Sequence, residues 1–167
     1  MPATLVAHGL KRDVVMSERM TVLVSGGAGY IGSHMVLALL DAGHTPVIID
    51  DFSTGHEKLV PSGVSLFRGN AGDSALVAEI CDSHKIDAVA HFAASIVVPE
   101  SVVNPLKYYL NNTVNTTRFI AACVNAGIKR FVFSSTAAVY GNQDVTQIHE
   151  DANTQPENPY GSSKLMS

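Results

Sequence analysis

Short apolar runs alternate along this chain with longer mixed segments, and the alternation sets the expected elements. Met20 to Val24 reads as a short buried strand, and Met35-Val36-Leu37-Ala38-Leu39-Leu40 reads as a helix packed on a sheet. Gly43 closes that helix as a C′ residue, and Val47-Ile48-Ile49-Asp50 forms a second strand that ends on a carboxylate. Val64 to Arg68 is a third strand, followed by a helix capped by Asp73 or Ser74 and running to His84. Ile86 to His91 is the fourth strand. Pro105 opens one long helix to about Ala126, which Gly127 ends. Arg130 to Ser135 is the fifth strand, Gly141 to Asn158 a polar loop, and a further helix begins near Pro159. Strands and helices alternating over short connections predict right-handed β-α-β units. The expected fold is α/β, a doubly wound parallel sheet with helices on both faces. Ligands of such sheets sit beyond the carboxyl ends of the strands, and the polar motifs of this chain fall at that edge.

The connection after the first strand is the most informative stretch. Gly27, Gly29 and Gly32 fit G-x-G-x-x-G, and Gly26, Gly29 and Gly32 fit a G-x-x-G-x-x-G spacing. A strand turning sharply into a helix needs glycine for positive φ and for close backbone approach. The helix N-terminus then offers free N–H groups and a positive dipole end to a pyrophosphate. Asp50 lies 18 residues past Gly32, where a carboxylate can hydrogen-bond adenosine ribose hydroxyls. The combination predicts a Rossmann-like dinucleotide-binding domain, and Asp50 with no arginine beside it favours NAD over NADP.

Composition narrows the class. Hydrophobic residues make up 46% and charged residues 16% of 167, which is a globular balance. A formal charge of −4 argues against a nucleic-acid partner, which would need a basic face. No apolar run is long enough for a membrane span. Cys81 and Cys123 stand apart, with no metal-ligand spacing around them or the seven histidines, so they are expected as buried reduced thiols of a cytoplasmic protein. Residues 1–19 read as an N-terminal extension preceding a dinucleotide-binding domain over 20–167, with Met16 and Met20 as alternative starts. His34, His56 and His91 flank the cofactor-edge turns and are expected to be structural.

A second motif carries chemistry. Tyr160 and Lys164, four apart, share one face of the last helix, whose N-cap and first position are Asn158 and Pro159. A free phenol is a weak base at neutral pH, and a neighbouring ammonium favours its ionised form. Thr136, after Ser134-Ser135 at the end of strand five, is placed to hydrogen-bond a substrate oxygen or, alternatively, to cap the strand end.

Taken together, Gly26 to His34, Asp50 to His56, His91 to Ala94, Tyr108 to Thr113, Ser134 to Gly141 and Pro159 to Lys164 resemble the extended short-chain dehydrogenase/reductase family. Within it they resemble the branch that interconverts UDP-glucose and UDP-galactose at sugar C4. Ala137-Ala138 stands where the 4,6-dehydratases carry an Asp-Glu pair, which favours epimerisation. The resemblance implies Tyr160, Lys164 and Thr136 as catalytic residues. It implies an NAD site made by Gly26, Gly29, Tyr30, Ile31, Gly32, Asp50, Asp51, Asn70, Ala71, Phe92, Ala93, Ala94 and Asn111 together with Tyr160 and Lys164. Asn70 stands where many members carry an acid near the adenine, and Ala94 and Ile96 stand where some epimerases have glycine and lysine. The family continues well past this motif into further strands and a substrate domain, and its dimers pack the long helix with the Tyr-Lys helix. The chain stopping at Ser167 is therefore expected to be an N-terminal part, with little epimerase activity alone and a homodimer only in a complete protein. A non-catalytic NAD-binding module, or an enzyme acting on a UDP-uronic acid or an N-acetylated sugar, fits the same residues.

Overall fold

The computed structural model describes residues 18–144 and 147–167, so most of the expected N-terminal extension lies outside the described residues. Strand β1 (Thr21–Ser25) is central, pairing in parallel with β2 (Thr45–Asp50) on one side and β4 (Ala88–His91) on the other. Strands β3 (Ser65–Arg68) and β5 (Phe131–Phe133) complete a five-stranded parallel sheet in the order β3-β2-β1-β4-β5. The direction of winding reverses between β1 and β4, which opens a crevice beyond their carboxyl ends.

The core follows from period-two alternation with both faces covered. Leu23, Val47, Ile49 and Val89 point to one face, where they pack with Val77, Ile80 and Phe119 of α2 (Ser74–His84) and α5 (Asn115–Asn125). Val22, Val24, Ile48 and Ala90 point to the other, against Val36 of α1 (Tyr30–Asp41). Asp73 caps α2 as expected, its carboxylate accepting from the N–H groups of Ala75 and Leu76. Cys81 and Cys123 are free and buried within the first cluster.

Three expectations are corrected. Strand β1 runs over Thr21–Ser25 rather than Met20 to Val24, while β5 stops at Phe133 and leaves Ser134 and Ser135 beyond the strand. An extra helix, α3 (Val98–Val103), precedes the long one. The single helix expected from Pro105 to Ala126 is instead α4 (Pro105–Tyr108), a π-helical turn over Tyr109–Val114, and α5. A π turn widens the helix by a residue and shifts which side chains face inward, and periodicity at 3.6 cannot reveal it. The last helix, α6 (Pro159–Leu165), begins as expected, with the Asn158 side chain accepting from Gly161 N–H at 2.9 Å.

Candidate functional site

At the crevice the chain turns from β1 into α1 through Gly26, which adopts φ +71°. A Cβ there would lie 2.7 Å from the Ala93 nitrogen, so only glycine lets the turn lie against the loop after β4. Gly32 serves a different contact: its Cβ would meet the Gly26 carbonyl oxygen at 2.1 Å. Gly29 is the N-cap of α1 and no side chain caps the helix, so the N–H groups of its first turn open towards the crevice.

The crevice is a cleft of about 210 Å³, and the expected cofactor residues line it with two exceptions. Gly26 and Gly29 come from the turn, Tyr30, Ile31 and Gly32 from the start of α1, and Asp50 and Asp51 from the end of β2. Asn70 and Ala71 follow β3, Phe92, Ala93 and Ala94 follow β4, and Asn111 comes from the π turn. The exceptions are Tyr160 and Lys164, which stand on α6 outside this lining. Ser53, Thr54, Gly55, Ile96 and Asn115 also line the cleft. Ser53 to Gly55 follow β2, and nothing in their pattern marks them as cleft walls.

Asp50 is buried, with one carboxylate oxygen accepting from Ala28 N–H at 2.9 Å and the other from Phe52 N–H at 2.8 Å. It therefore braces the glycine turn as well as facing the cleft. Asp51 is the more exposed of the two carboxylates. Burial pushes its carboxyl up, but bonds from Ser53 and from Asn70 Nδ2 outweigh that and hold it below the ordinary carboxylate value. Asn70 is fixed as an acceptor and a donor at once, taking Gly72 N–H on Oδ1 at 2.8 Å. Asp50 has no arginine beside it in sequence, but Arg68 is its register partner on β3. The Arg68 guanidinium lies over the Phe52 ring at 4.1 Å and pairs with Glu57, and it does not line the cleft.

Beneath the turn lies a polar network that the sequence marked only as structural. His91 is fully enclosed, its Nδ1 sharing a hydrogen bond with Ser25 Oγ and its Nε2 one of 2.8 Å with Thr116 Oγ1. It stacks on Phe133 with centroids 5.8 Å apart. Burial, with a contribution from the nearby Lys164 charge, pushes its pKa down to about 3, so the ring is neutral.

The second site element is α6. Lys164 is buried, donates from Nζ to the Ser134 carbonyl at 2.8 Å and sits 4.6 Å from the Phe133 ring centroid. Burial lowers its pKa to about 8. Tyr160 stands half-buried one turn earlier. Thr136 takes the local role that competed with the substrate contact: its hydroxyl accepts from Ala138 N–H at 3.2 Å and caps a 3₁₀ turn over Ala137–Val139.

Asn112, one residue beyond the expected Asn111, ties the two site elements together. It is buried, its Oδ1 accepting from Ser95 N–H at 2.7 Å and its Nδ2 donating to the Ser95 carbonyl at 2.9 Å and to Ser163 Oγ at 3.0 Å. Asn111 itself faces the cleft and donates to Ser95 Oγ at 3.0 Å. Two adjacent asparagines gave no sign of which one would turn inward, because the π turn sets that. Among the described residues no group of histidine, cysteine or acidic side chains could hold a metal, and no helix is long and apolar enough to cross a membrane.

Known proteins share this arrangement. The UDP-glucose 4-epimerase of Azospirillum brasilense is 57% identical over 145 residues, covering 87% of this chain and 42% of that protein. That of Lactobacillus helveticus is 47% identical over 147 residues, covering 88% of this chain and 44% of that protein. The crystal structure of UDP-glucose 4-epimerase from Brucella ovis in complex with NAD superposes with a TM-score of 0.85 at 41% identity, over 88% of this chain and 45% of that one. The chain thus spans less than half the length of the curated relatives it matches. The glycine turn, the β2 carboxylates and the Tyr160–Lys164 helix all fall within residues 22–167, which match one family model throughout, and the chain belongs to the NAD dependent epimerase/dehydratase family.

Proposed function

We propose that this chain provides the NAD site and the reacting side chains of a UDP-glucose 4-epimerase, which interconverts UDP-glucose and UDP-galactose. The observation that carries the reading is the convergence of the glycine turn, Asp50 and the loop after β4 on one cleft, with α6 held to that loop through Asn112. The residues fit a dinucleotide. The uncapped start of α1 faces the cleft, and the preceding turn carries no side chain larger than the Ala28 methyl. Asp50, Asp51 and Asn70 supply acceptors and an amide at the adenosine end, and no lysine or arginine lines the cleft among the described residues.

NAD held in this cleft would supply a reversible two-electron hydride acceptor for sugar C4. Tyr160 takes the proton of the 4-hydroxyl as the hydride leaves C4, so the sugar gives up one proton and one hydride and is oxidised by two electrons to a 4-keto sugar. After the sugar presents its other face, Tyr160 gives that proton back to the 4-oxygen as the hydride returns. Lys164, with a pKa of about 8, is mostly protonated at neutral pH and would supply positive charge one helical turn from Tyr160 and hydrogen-bond donors to a bound cofactor. Thr136 bridges to the 4-oxygen once its hydroxyl leaves the 3₁₀ turn or shares itself with it. The two free buried cysteines suit a cytoplasmic protein, and the exposed stripe of Val103, Leu106 and Leu110 suits a homodimer of the complete protein.

Conversion of UDP-galactose to UDP-glucose tests the reading. Tyr160→Phe is expected to abolish turnover while leaving NAD binding intact. A full-length Tyr160→Phe protein that turns over normally would sink the assignment, and NAD binding without turnover in the unmodified full-length protein would favour a non-catalytic module.

A further inference from the structure

Tyr108 ends α4 and is completely buried, yet nothing in the reaction above uses it. Its ring meets the Tyr160 ring edge-on, with centroids 6.4 Å apart and planes at 83°. On the far side its hydroxyl bridges the Val97 carbonyl at 2.6 Å and the Glu100 carboxylate at 2.8 Å. Glu100 in turn accepts a 2.6 Å bond from Lys107 Nζ. Burial raises the Tyr108 phenol above its usual pKa, and Glu100 adds to the effect, so the group stays a neutral donor across the working range. A side chain enclosed on all sides and bonded at its tip cannot change rotamer without breaking those contacts.

We propose that Tyr108 is a positioning residue for Tyr160: its ring, pinned through its hydroxyl to α3, is the wall that fixes the orientation of the Tyr160 phenol. An edge-to-face contact prefers one mutual tilt, so a fixed ring on one side restricts the ring on the other. The anchor is Val97, which follows the cleft loop of Ala93 to Ile96 directly in the chain. The tilt of the reacting phenol is thereby referred to the wall of the cofactor cleft across α3, and not only to the backbone of α6. The inference rests on Tyr160 being the reacting group.

The test compares Tyr108→Leu with Tyr108→Phe in the protein loaded with NAD. The ring signal of Tyr160, identified by its loss in Tyr160→Phe, is followed by NMR with labelled tyrosine. Tyr108→Leu is expected to shift that signal and speed its ring flips, while Tyr108→Phe, which keeps the ring but loses its hydroxyl anchor, is expected to shift it by less. In turnover, Tyr108→Leu is expected to lower kcat about tenfold with KM and NAD affinity unchanged, and Tyr108→Phe to recover only part of the loss. If Tyr108→Leu does not fold, Tyr108→Met, whose unbranched side chain adapts more readily to the space left, carries the same comparison. A Tyr160 signal unmoved by the leucine variant would overturn the proposal, as would a parallel loss of NAD affinity and kcat, which marks a merely structural role. If the unmodified full-length protein bound NAD but converted no sugar nucleotide, the reaction assignment would fail, and the ring signal would still decide what Tyr108 does.

Discussion

Gly32→Ala probes the contact on which the cofactor cleft depends. The added methyl carbon would stand 2.1 Å from the Gly26 carbonyl oxygen, 2.8 Å from its carbon and 2.9 Å from Gly27 Cα. These are backbone atoms and cannot swing aside as a side chain would. Ordinary contact begins at 3.4 Å, so helix and turn must separate by more than an ångström. The turn has little room to move, since Gly26 already rests against Ala93 and α1 is packed on the sheet through Val36. Overpacking of this kind costs about 1–3 kcal/mol. That corresponds to a fall in Tm of roughly 3–10 °C for a domain of this size. A displacement on the order of 1 Å at the N–H groups facing the ligand should weaken NAD binding by about a hundredfold. Calorimetry gives both quantities, one by thermal scan and one by titration. Gly29→Ala separates the two causes: Gly29 has φ −83°, open to any residue, and its Cβ would touch only the Gly26 oxygen, at 3.2 Å. That variant should keep its Tm and lose affinity alone. Gly32→Ala with unchanged Tm and unchanged NAD affinity would refute the packing argument.

Three further outcomes follow from the same coordinates. Burial lowers the Lys164 pKa from 10.5 to about 8, so between those values the unfolded chain binds more protons than the folded one and stability rises with pH. The rise is about 3 kcal/mol across the window, and urea unfolding at a series of pH values should show it in the natural chain but not in Lys164→Met. His91, lowered from 6.5 to about 3, makes the fold lose stability as pH falls through that range, and His91→Gln should flatten this acid limb; an equally steep limb would count against the buried neutral ring. Phe119 is fully enclosed against His91 and Phe131, and Phe119→Ala should cost about 3–5 kcal/mol in denaturant unfolding, with a much smaller loss meaning that the site collapses around the gap.

Local pattern carried most of the fold. The apolar runs around Val22 to Val24, Val47 to Ile49 and Val89 to Ala90 are continuous because both faces of a parallel sheet are covered, and that continuity is readable without coordinates. The caps at Asp73 and Asn158 are equally local, since a side chain that accepts from N–H groups two or three residues on depends on little else. The cleft residues were legible for a related reason. Most of them follow the carboxyl end of a strand, and a parallel sheet brings all such ends to one edge whatever the strand order, whereas Asn111 and Asn115 reach the cleft from helical segments.

What the sequence determined by itself, then, was the succession of elements, the strand–glycine–helix turn, the Tyr160–Lys164 pair and the edge on which they gather, because periodicity, capping and turn chemistry act over a few residues. Tertiary structure alone decided the strand order, the π turn that buries Asn112 in place of Asn111, the Ser25–His91–Thr116 network and the wall that Tyr108 makes against Tyr160. Arg68 belongs with these, since it is the register partner of Asp50 across β2 and β3 and not its neighbour along the chain. Such contacts join residues tens of positions apart, where no local spacing constrains the partner. Which of two asparagines turns inward, or which carbonyl a buried lysine meets, is fixed only when the whole sheet and its helices have packed.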